Sequence, residues 1–181
     1  MKATGIVRRI DDLGRVVIPK EIRRTMRIRE GDPLEIYTSR DGEVIFKKYS
    51  LMGGLDEFAA QFCETLSKST GFAAAVTDRD TVIAVAGGGK RDLLGKRISA
   101  ELEQIMEDRK IYQQQSGERC IFVTEGSETF CAAVAAPILC EGDVLGLVLF
   151  VSDGADGKPT GETEYKLAQT IAAFLGRHME G

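Results

Sequence analysis

An α+β protein in two parts is what the sequence predicts, and three observations predict it. The hydrophobic period changes near residue 55, two adjacent glycines (Gly53 and Gly54) mark that place, and the charge divides there as well. Residues 1–50 hold twelve Lys and Arg against eight Asp and Glu, a net +4, and the remainder holds twelve against twenty, a net −8. The chain-wide net charge of −4 therefore hides a small basic module on an acidic body. The expected organisation is a module at 1–50, a linker at 51–54 and a second domain at 55–181.

In the module, short runs rich in Val, Ile, Tyr and Phe predict strands at 6–10, 16–18, 34–38 and 44–48. The stretches Asp11-Asp12-Leu13-Gly14, Glu30-Gly31-Asp32-Pro33 and Arg40-Asp41-Gly42 separate them as turns, the last an Asp-Gly hairpin signal. One helix interrupts the strands: Pro19 suits a first helical position, and Lys20–Arg27 contains no further breaker. At about 100° per residue Ile22 and Met26 share one face, while Arg23, Arg24, Arg27 and Lys20 fall roughly 100–200° away. The helix thus pairs a small apolar anchor with a concentrated cationic face.

Four short strands and one helix make a thin core, so the pattern argues for an intertwined or tightly paired dimer. Clustered cations favour phosphates, and a twofold protein suits a twofold DNA site.

From Leu55 onward Leu55, Phe58, Ala59, Phe62, Cys63 and Leu66 recur at helical spacing, so Cys63 reads as a small apolar core residue. Strands are expected at Phe72–Thr77, Thr81–Ala86, Arg119–Thr124, Thr129–Leu139 and Val144–Ser152, and a helix at Ile98–Arg109. A closing helix at Glu162–Glu180 carries Leu167, Ala168, Ile171, Phe174, Leu175 and Met179 on a broad stripe. Its acidic start and basic end (Arg177, His178) suit the helix dipole. The apolar stripes of the first and last helices are wide enough to serve a domain core and a partner helix together.

Several chemistries are disfavoured. No run of about 18 apolar residues offers a membrane span, and the N-terminus lacks the apolar core of a secretory signal. Cys63, Cys120, Cys131 and Cys140 include no C-x-x-C pair and are expected as reduced thiols of a cytoplasmic protein. The single histidine, His178, leaves a zinc cluster short of ligands, so no metal and no cofactor are expected. Gly87-Gly88-Gly89-Lys90 lacks the spacing of a phosphate-binding P-loop; the three glycines are the candidate for part of a ligand-pocket mouth. Clustered carboxylates and a nucleophile–base pair are not evident, and catalysis is not expected.

The stretch from Lys2-Ala3-Thr4-Gly5 through Gly14-Arg15-Val16-Val17-Ile18-Pro19-Lys20-Glu21-Ile22-Arg23-Arg24, continuing through Ile28-Arg29-Glu30-Gly31-Asp32-Pro33 to Lys47-Lys48-Tyr49, closely resembles the AbrB-type swapped-hairpin DNA-binding domain. The resemblance implies that two chains exchange hairpins to form one small β-barrel, and that its partner is double-stranded DNA. It implies DNA contacts from Arg8, Arg15, Arg23 and Arg24, with Lys2 and Arg9 as weaker candidates. Residues 55–181 resemble a GAF domain in element order and in the Pro137–Val151 segment, which implies a small-molecule pocket without naming a ligand. As a whole the chain resembles the two-domain sporulation regulators of spore-forming bacteria, which implies a homotetramer assembled through the second domain's helices and a place on the nucleoid.

Arginines without much Asn or Gln point to readout of DNA shape together with salt-dependent phosphate contacts. Two alternatives stand beside this reading. An antitoxin would also use an AbrB-like module but would append a short disordered tail. A ligand-modifying enzyme fused to a DNA anchor would need clustered carboxylates or metal ligands.

Overall fold

The structure, a computed structural model, describes residues 5–49, 52, 55–154 and 159–179. The chain separates into two compact units, Met1–Tyr49 and Ser50–Gly181.

In the first unit, α1 (Lys20–Met26) follows Pro19, whose φ of −57° already suits a helix entry. Pro19 stands as the N-cap, one place earlier than the sequence suggests, and Arg27 closes the helix in the left-handed region at φ 51°. Strands β1 (Leu34–Thr38) and β2 (Val44–Lys48) pair antiparallel, with Leu34 opposite Lys48 and Thr38 opposite Val44. Their turn is closed by Ser39 N–H donating to Glu43 O at 3.0 Å and Gly42 N–H to Ser39 O at 3.2 Å. Lys48 returns from β2 to donate to the Arg27 carbonyl at 2.9 Å and lies 3.8 Å from the Asp32 carboxylate, which fastens the segment after α1 to the hairpin.

The runs at 6–10 and 16–18 are not strands in the single chain. Between them is only a tight turn, with Asp11 N–H donating to Arg15 O and Gly14 N–H to Asp11 O, each at 3.0 Å. The physical reason is a missing ladder partner: β1 and β2 pair with each other and form a two-stranded sheet alone. Among residues 5–49 Pro19 alone is buried.

The second unit is built on a five-stranded antiparallel sheet in the order β4-β3-β7-β6-β5. The strands are β3 (Ala73–Thr77), β4 (Val82–Ala86), β5 (Tyr112–Gln113), β6 (Phe130–Cys140) and β7 (Asp143–Asp153). Helices α2 (Asp56–Thr70) and α5 (Glu162–His178) cover one face, burying Leu55, Ala59, Cys63, Leu66, Ala168, Ala172 and Leu175 against Val134, Ile138, Val148 and Phe150. The short α3 (Lys90–Leu93) and α4 (Ala100–Asp108) cover the other, where Leu93, Leu102 and Met106 meet Val82, Leu147 and Leu149. Central strands buried on both faces explain the almost unbroken apolar runs of β6 and β7. The Ser99 side chain caps α4 by accepting from Leu102 N–H at 3.2 Å, and Glu164 accepts from Gly161 N–H at 2.7 Å at the start of α5.

Two expectations need correction here. Residues 119–124 are not a strand: Phe122 bridges Cys131 and Thr124 bridges Ile98, so the segment divides its pairing between two partners. The cysteines are not all free thiols either. Cys120 and Cys131 form a disulfide across a Cα–Cα distance of 5.6 Å, and Cys63 and Cys140 carry none. Spacing could not reveal the pair because the 120–131 segment folds back on itself. Val123 N–H donates to Phe130 O at 3.0 Å and Ala132 N–H to Ile121 O at 2.8 Å, which sets the two cysteines side by side.

Candidate nucleic-acid interface

Among the described residues of the first unit, Arg8, Arg9, Arg15, Lys20, Arg23, Arg24, Arg40 and Lys47 are exposed, whereas Arg27, Arg29 and Lys48 are half-buried. Arg8 and Arg9 lie in the segment before the Asp11 turn, and Arg8 makes no ion pair with Asp11 or Asp12 among the described residues. Asp11 instead holds Arg15: its carboxylate accepts from the Arg15 main-chain N–H at 2.7 Å, from Leu13 N–H at 3.0 Å and from Arg15 Nε at 2.9 Å. Gly14, at φ 77°, supplies the left-handed step this turn needs. The Arg15 main-chain N–H above all holds the Asp11 carboxyl below its ordinary value of 3.8. The Arg15 side chain stays 70 % exposed, so the guanidinium is aimed without being buried.

Arg23 and Arg24 sit on α1 and are exposed, Ile22 is half-buried, and Met26 is 52 % exposed. Lys20, Arg23 and Arg24 of the cationic face expected from the helical wheel are therefore solvent-accessible, whereas Arg27 is half-buried and caps the helix. Lys2 lies outside the described residues. On β1 and β2 the Lys47 ammonium sits 4.6 Å above the Tyr37 ring, and Tyr37 Oη donates to Glu35 at 2.5 Å, which raises the phenol's pKa.

Exposed apolar side chains surround these cations. Ile6 is 41 % exposed, Val7 87 %, Ile10 69 %, Val17 69 % and Ile36 61 %. Residues 5–49 thus leave many of their aliphatic side chains uncovered.

In the second unit, Gly87 and Gly89 take left-handed conformations and pack tightly. A Cβ on Gly87 would strike Ser67 of α2, and one on Gly89 would meet the Phe130 ring at 2.9 Å. Four cavities of the second unit are lined by other residues. Two of them adjoin beside the start of α5. One of about 520 Å³ is bounded by Gln113, Tyr165 and Lys166, the other, of about 450 Å³, by Glu118, Cys120 and Gly154, and Gln114–Ser116, Pro159 and Thr160 belong to both. Gln113 braces this corner by donating through Nε2 to Gly161 O at 3.0 Å and Thr160 O at 3.2 Å. The polar run Gln113-Gln114-Gln115-Ser116-Gly117 was the available sequence signal for this corner, and periodicity passed over it. No group of three His, Cys, Asp or Glu among the described residues could hold a metal ion. No helix among them is long and apolar enough to cross a membrane.

Residues 54–180 match the family profile described as stage V sporulation protein T C-terminal, transcription factor. Over 180 residues the chain is 49 % identical to stage V sporulation protein T of Bacillus subtilis (strain 168), covering 99 % of each. The chain belongs to the stage V sporulation protein T family. It is a DNA-binding transcription regulator of that family, with an AbrB-type N-terminal domain. Its N-terminal residues are 63 % identical over 49 residues to the transition state regulatory protein AbrB of the same organism, a match covering 27 % of this chain and 50 % of that one. Residues 7–51 also match the profile described as antidote-toxin recognition MazE, bacterial antitoxin. The second unit has a GAF-type fold. A GAF domain from an Acinetobacter phosphoenolpyruvate-protein phosphotransferase aligns at a TM-score of 0.52 and 14 % identity, covering 74 % of this chain and 84 % of that one.

Proposed function

We propose that the protein controls sporulation genes from the nucleoid. It binds double-stranded DNA as a homodimer through residues 1–50, joined by a linker at 51–54 to a unit at 55–181 that assembles dimers into a homotetramer. Arg8, Arg15, Arg23 and Arg24 make the principal DNA contacts, and Lys2 and Arg9 add lesser ones. The observation that carries this reading is the joint exposure of arginines and aliphatics in residues 5–49. Arginines gain from phosphates, while uncovered Val and Ile gain roughly 25 cal/mol per Å² from a second protein surface. The segments at 6–10 and 16–18, which lack ladder partners in one chain, find them in the second copy as a swapped hairpin.

Assembly into tetramers draws on α2 and α5. Phe58 is 44 % and Phe174 48 % exposed, and they join Phe62 and His178 in one ring cluster. Sensing is the further role of the second unit. Its adjoining cavities of about 520 and 450 Å³ fall in the size range of small-molecule sites.

Fluorescence anisotropy on an operator-length duplex tests the DNA reading. Full-length protein should lose roughly 10³–10⁵ in affinity between about 50 and 200 mM salt if 6–10 phosphates are contacted. Absence of binding, or binding indifferent to salt, overturns it.

The antitoxin reading rests on the match over residues 7–51. It expects a toxin-binding tail, whereas in this chain a folded five-stranded unit follows. A toxin encoded beside this chain and captured by it would favour that reading.

A further inference from the structure

The Cys120–Cys131 disulfide ties a surface loop to the sheet. Cys131 is 1 % exposed and opens β6 opposite Ser152 of β7, so one anchor is rigid. Cys120 is half-buried at the end of the 114–119 loop, so the other is within reach of solvent. The bond closes a segment of sequence separation 11, which inserts Val123 into the core beneath α4. On its other side, the loop leading into Cys120 walls the cavity of about 450 Å³ beside the start of α5.

Two hydroxyls on the strands that flank β6 are left unpaired. Tyr112 Oη and Ser152 Oγ are buried without a hydrogen-bond partner among the described residues. Ser152 is the register partner of Cys131, and burial, followed by the Glu118 charge, raises the Tyr112 phenol's pKa. Apart from the covalent bond, the segment is held by Val123 in the core and by main-chain hydrogen bonds from Val123 N–H to Phe130 O and from Ala132 N–H to Ile121 O.

We propose that Cys120 and Cys131 form a reversible thiol–disulfide site that fastens residues 114–131 over the cavity beside α5 when oxidised and releases them when reduced. The reductant is a dithiol of the thioredoxin class. Its thiolate attacks Cys120 Sγ, breaking the Sγ–Sγ bond, and Cys131 leaves as a thiolate and takes up a proton. The second thiolate of the dithiol then attacks the first in the mixed disulfide and releases Cys120, so two electrons pass to the protein and the dithiol becomes a disulfide. The oxidant is a peroxide. Cys120 thiolate attacks one peroxide oxygen, the O–O bond breaks with loss of hydroxide, and a sulfenic acid forms. Cys131 sulfur attacks the sulfenic sulfur, expels the hydroxyl as water and restores the disulfide.

The test uses full-length protein in its native state, cycled between hydrogen peroxide and a thioredoxin-class dithiol. Alkylation with mass mapping reads the thiols, and hydrogen exchange reads the backbone. Reduction should expose Cys120 and Cys131 to alkylation without denaturant and speed exchange across 114–131 by at least about tenfold, with β3 and β7 unchanged. Peroxide should reverse both effects. Any of three results overturns the proposal: a pair that peroxide never joins, a disulfide that yields to the dithiol only in denaturant, or a cycle that leaves exchange across 114–131 unchanged. Cys120→Ser should show the fast exchange in both conditions. If that variant does not fold, the wild-type cycle decides alone.

Discussion

Arg15 turns back on Asp11, its Nε donating to one carboxylate oxygen at 2.9 Å and its main-chain N–H to the other at 2.7 Å. The turn that carries Arg15, a residue proposed to contact DNA, is thus organised by an acidic side chain, which looks out of place beside phosphate. Its carboxyl is held below 3.8 chiefly by the Arg15 N–H. A lowered folded-state pKa means the stabilisation is present above the unfolded carboxylate range and is lost as pH falls through the lowered value. Carbon-detected NMR should show Asp11 titrating below 3.8, with the Leu13 and Arg15 amides exchanging faster once it is protonated. Titration at or above the ordinary value would remove Asp11 from this role.

Arg23→Ala and Arg24→Ala should each weaken binding to unrelated duplexes alike. Both residues are exposed on α1, so neither truncation should unfold the unit. Each lost phosphate contact should flatten the slope of log K against log salt by about 0.9. An unchanged slope and affinity in both variants would show that α1 faces away from the DNA.

Gly176 of α5 lies against the main-chain carbonyl of Leu139 in β6, where a Cβ would collide with the oxygen. Alanine is worth about 1 kcal/mol more than glycine in a helix interior. Against backbone the collision wins, because neither partner has a side chain that can rotate away. Gly176→Ala should therefore destabilise the protein by about 1–3 kcal/mol net, read from the urea midpoint of the second unit. A stabilised variant would mean that α5 stands further from the sheet.

Burial pushes the Cys63 thiol up to about 12. At pH 8 only about one molecule in 10⁴ would carry its thiolate, the form that reacts. Native protein should leave Cys63 unmodified by iodoacetamide over hours, and denatured protein should be modified within minutes. Rapid native labelling of Cys63 would show that α2 opens readily.

How much of this was legible follows from what pattern reading can detect. The α2 and α5 stripes stood out because Ala59, Cys63 and Leu66, or Ala168 and Leu175, repeat over several turns against one sheet face. The two-residue β5 and the four-residue α3 are shorter than any period, so nothing in their residues could announce them. The wheel of α1 separated Arg23 and Arg24 from Ile22 using local geometry alone. The grip of Asp11 on Arg15 depends on the left-handed step at Gly14, a backbone geometry that residue types alone do not show. Cys120 and Cys131 needed the fold-back of an entire segment, a non-local fact that residue spacing does not encode.

The α2 stripe divides on the structure. Leu55, Ala59, Cys63 and Leu66 are buried, Phe62 is half-buried and Phe58 is 44 % exposed. On α5, Leu175 is buried while Phe174 is 48 % exposed, with its ring 5.3 Å from Phe62 and stacked on His178 at 6.0 Å. One edge of each helix therefore serves the core, and the other leaves aromatic surface that costs free energy in water, a cost the proposed assembly would offset. Replacing both exposed rings, Phe58→Glu with Phe174→Glu, places carboxylates on that surface without touching the buried edge. Light scattering should show the tetramer falling to a dimer while circular dichroism stays that of the native fold. A tetramer offers two DNA-binding units, and linking them raises avidity by about 10²–10⁴ where the site geometry lets both engage. Affinity for a duplex long enough for both units should drop accordingly in the double variant, while affinity for a half-length duplex stays as before. A variant that remains tetrameric, or one that becomes dimeric with no loss on the long duplex, would show that assembly through α2 and α5 is not how the second unit serves DNA binding.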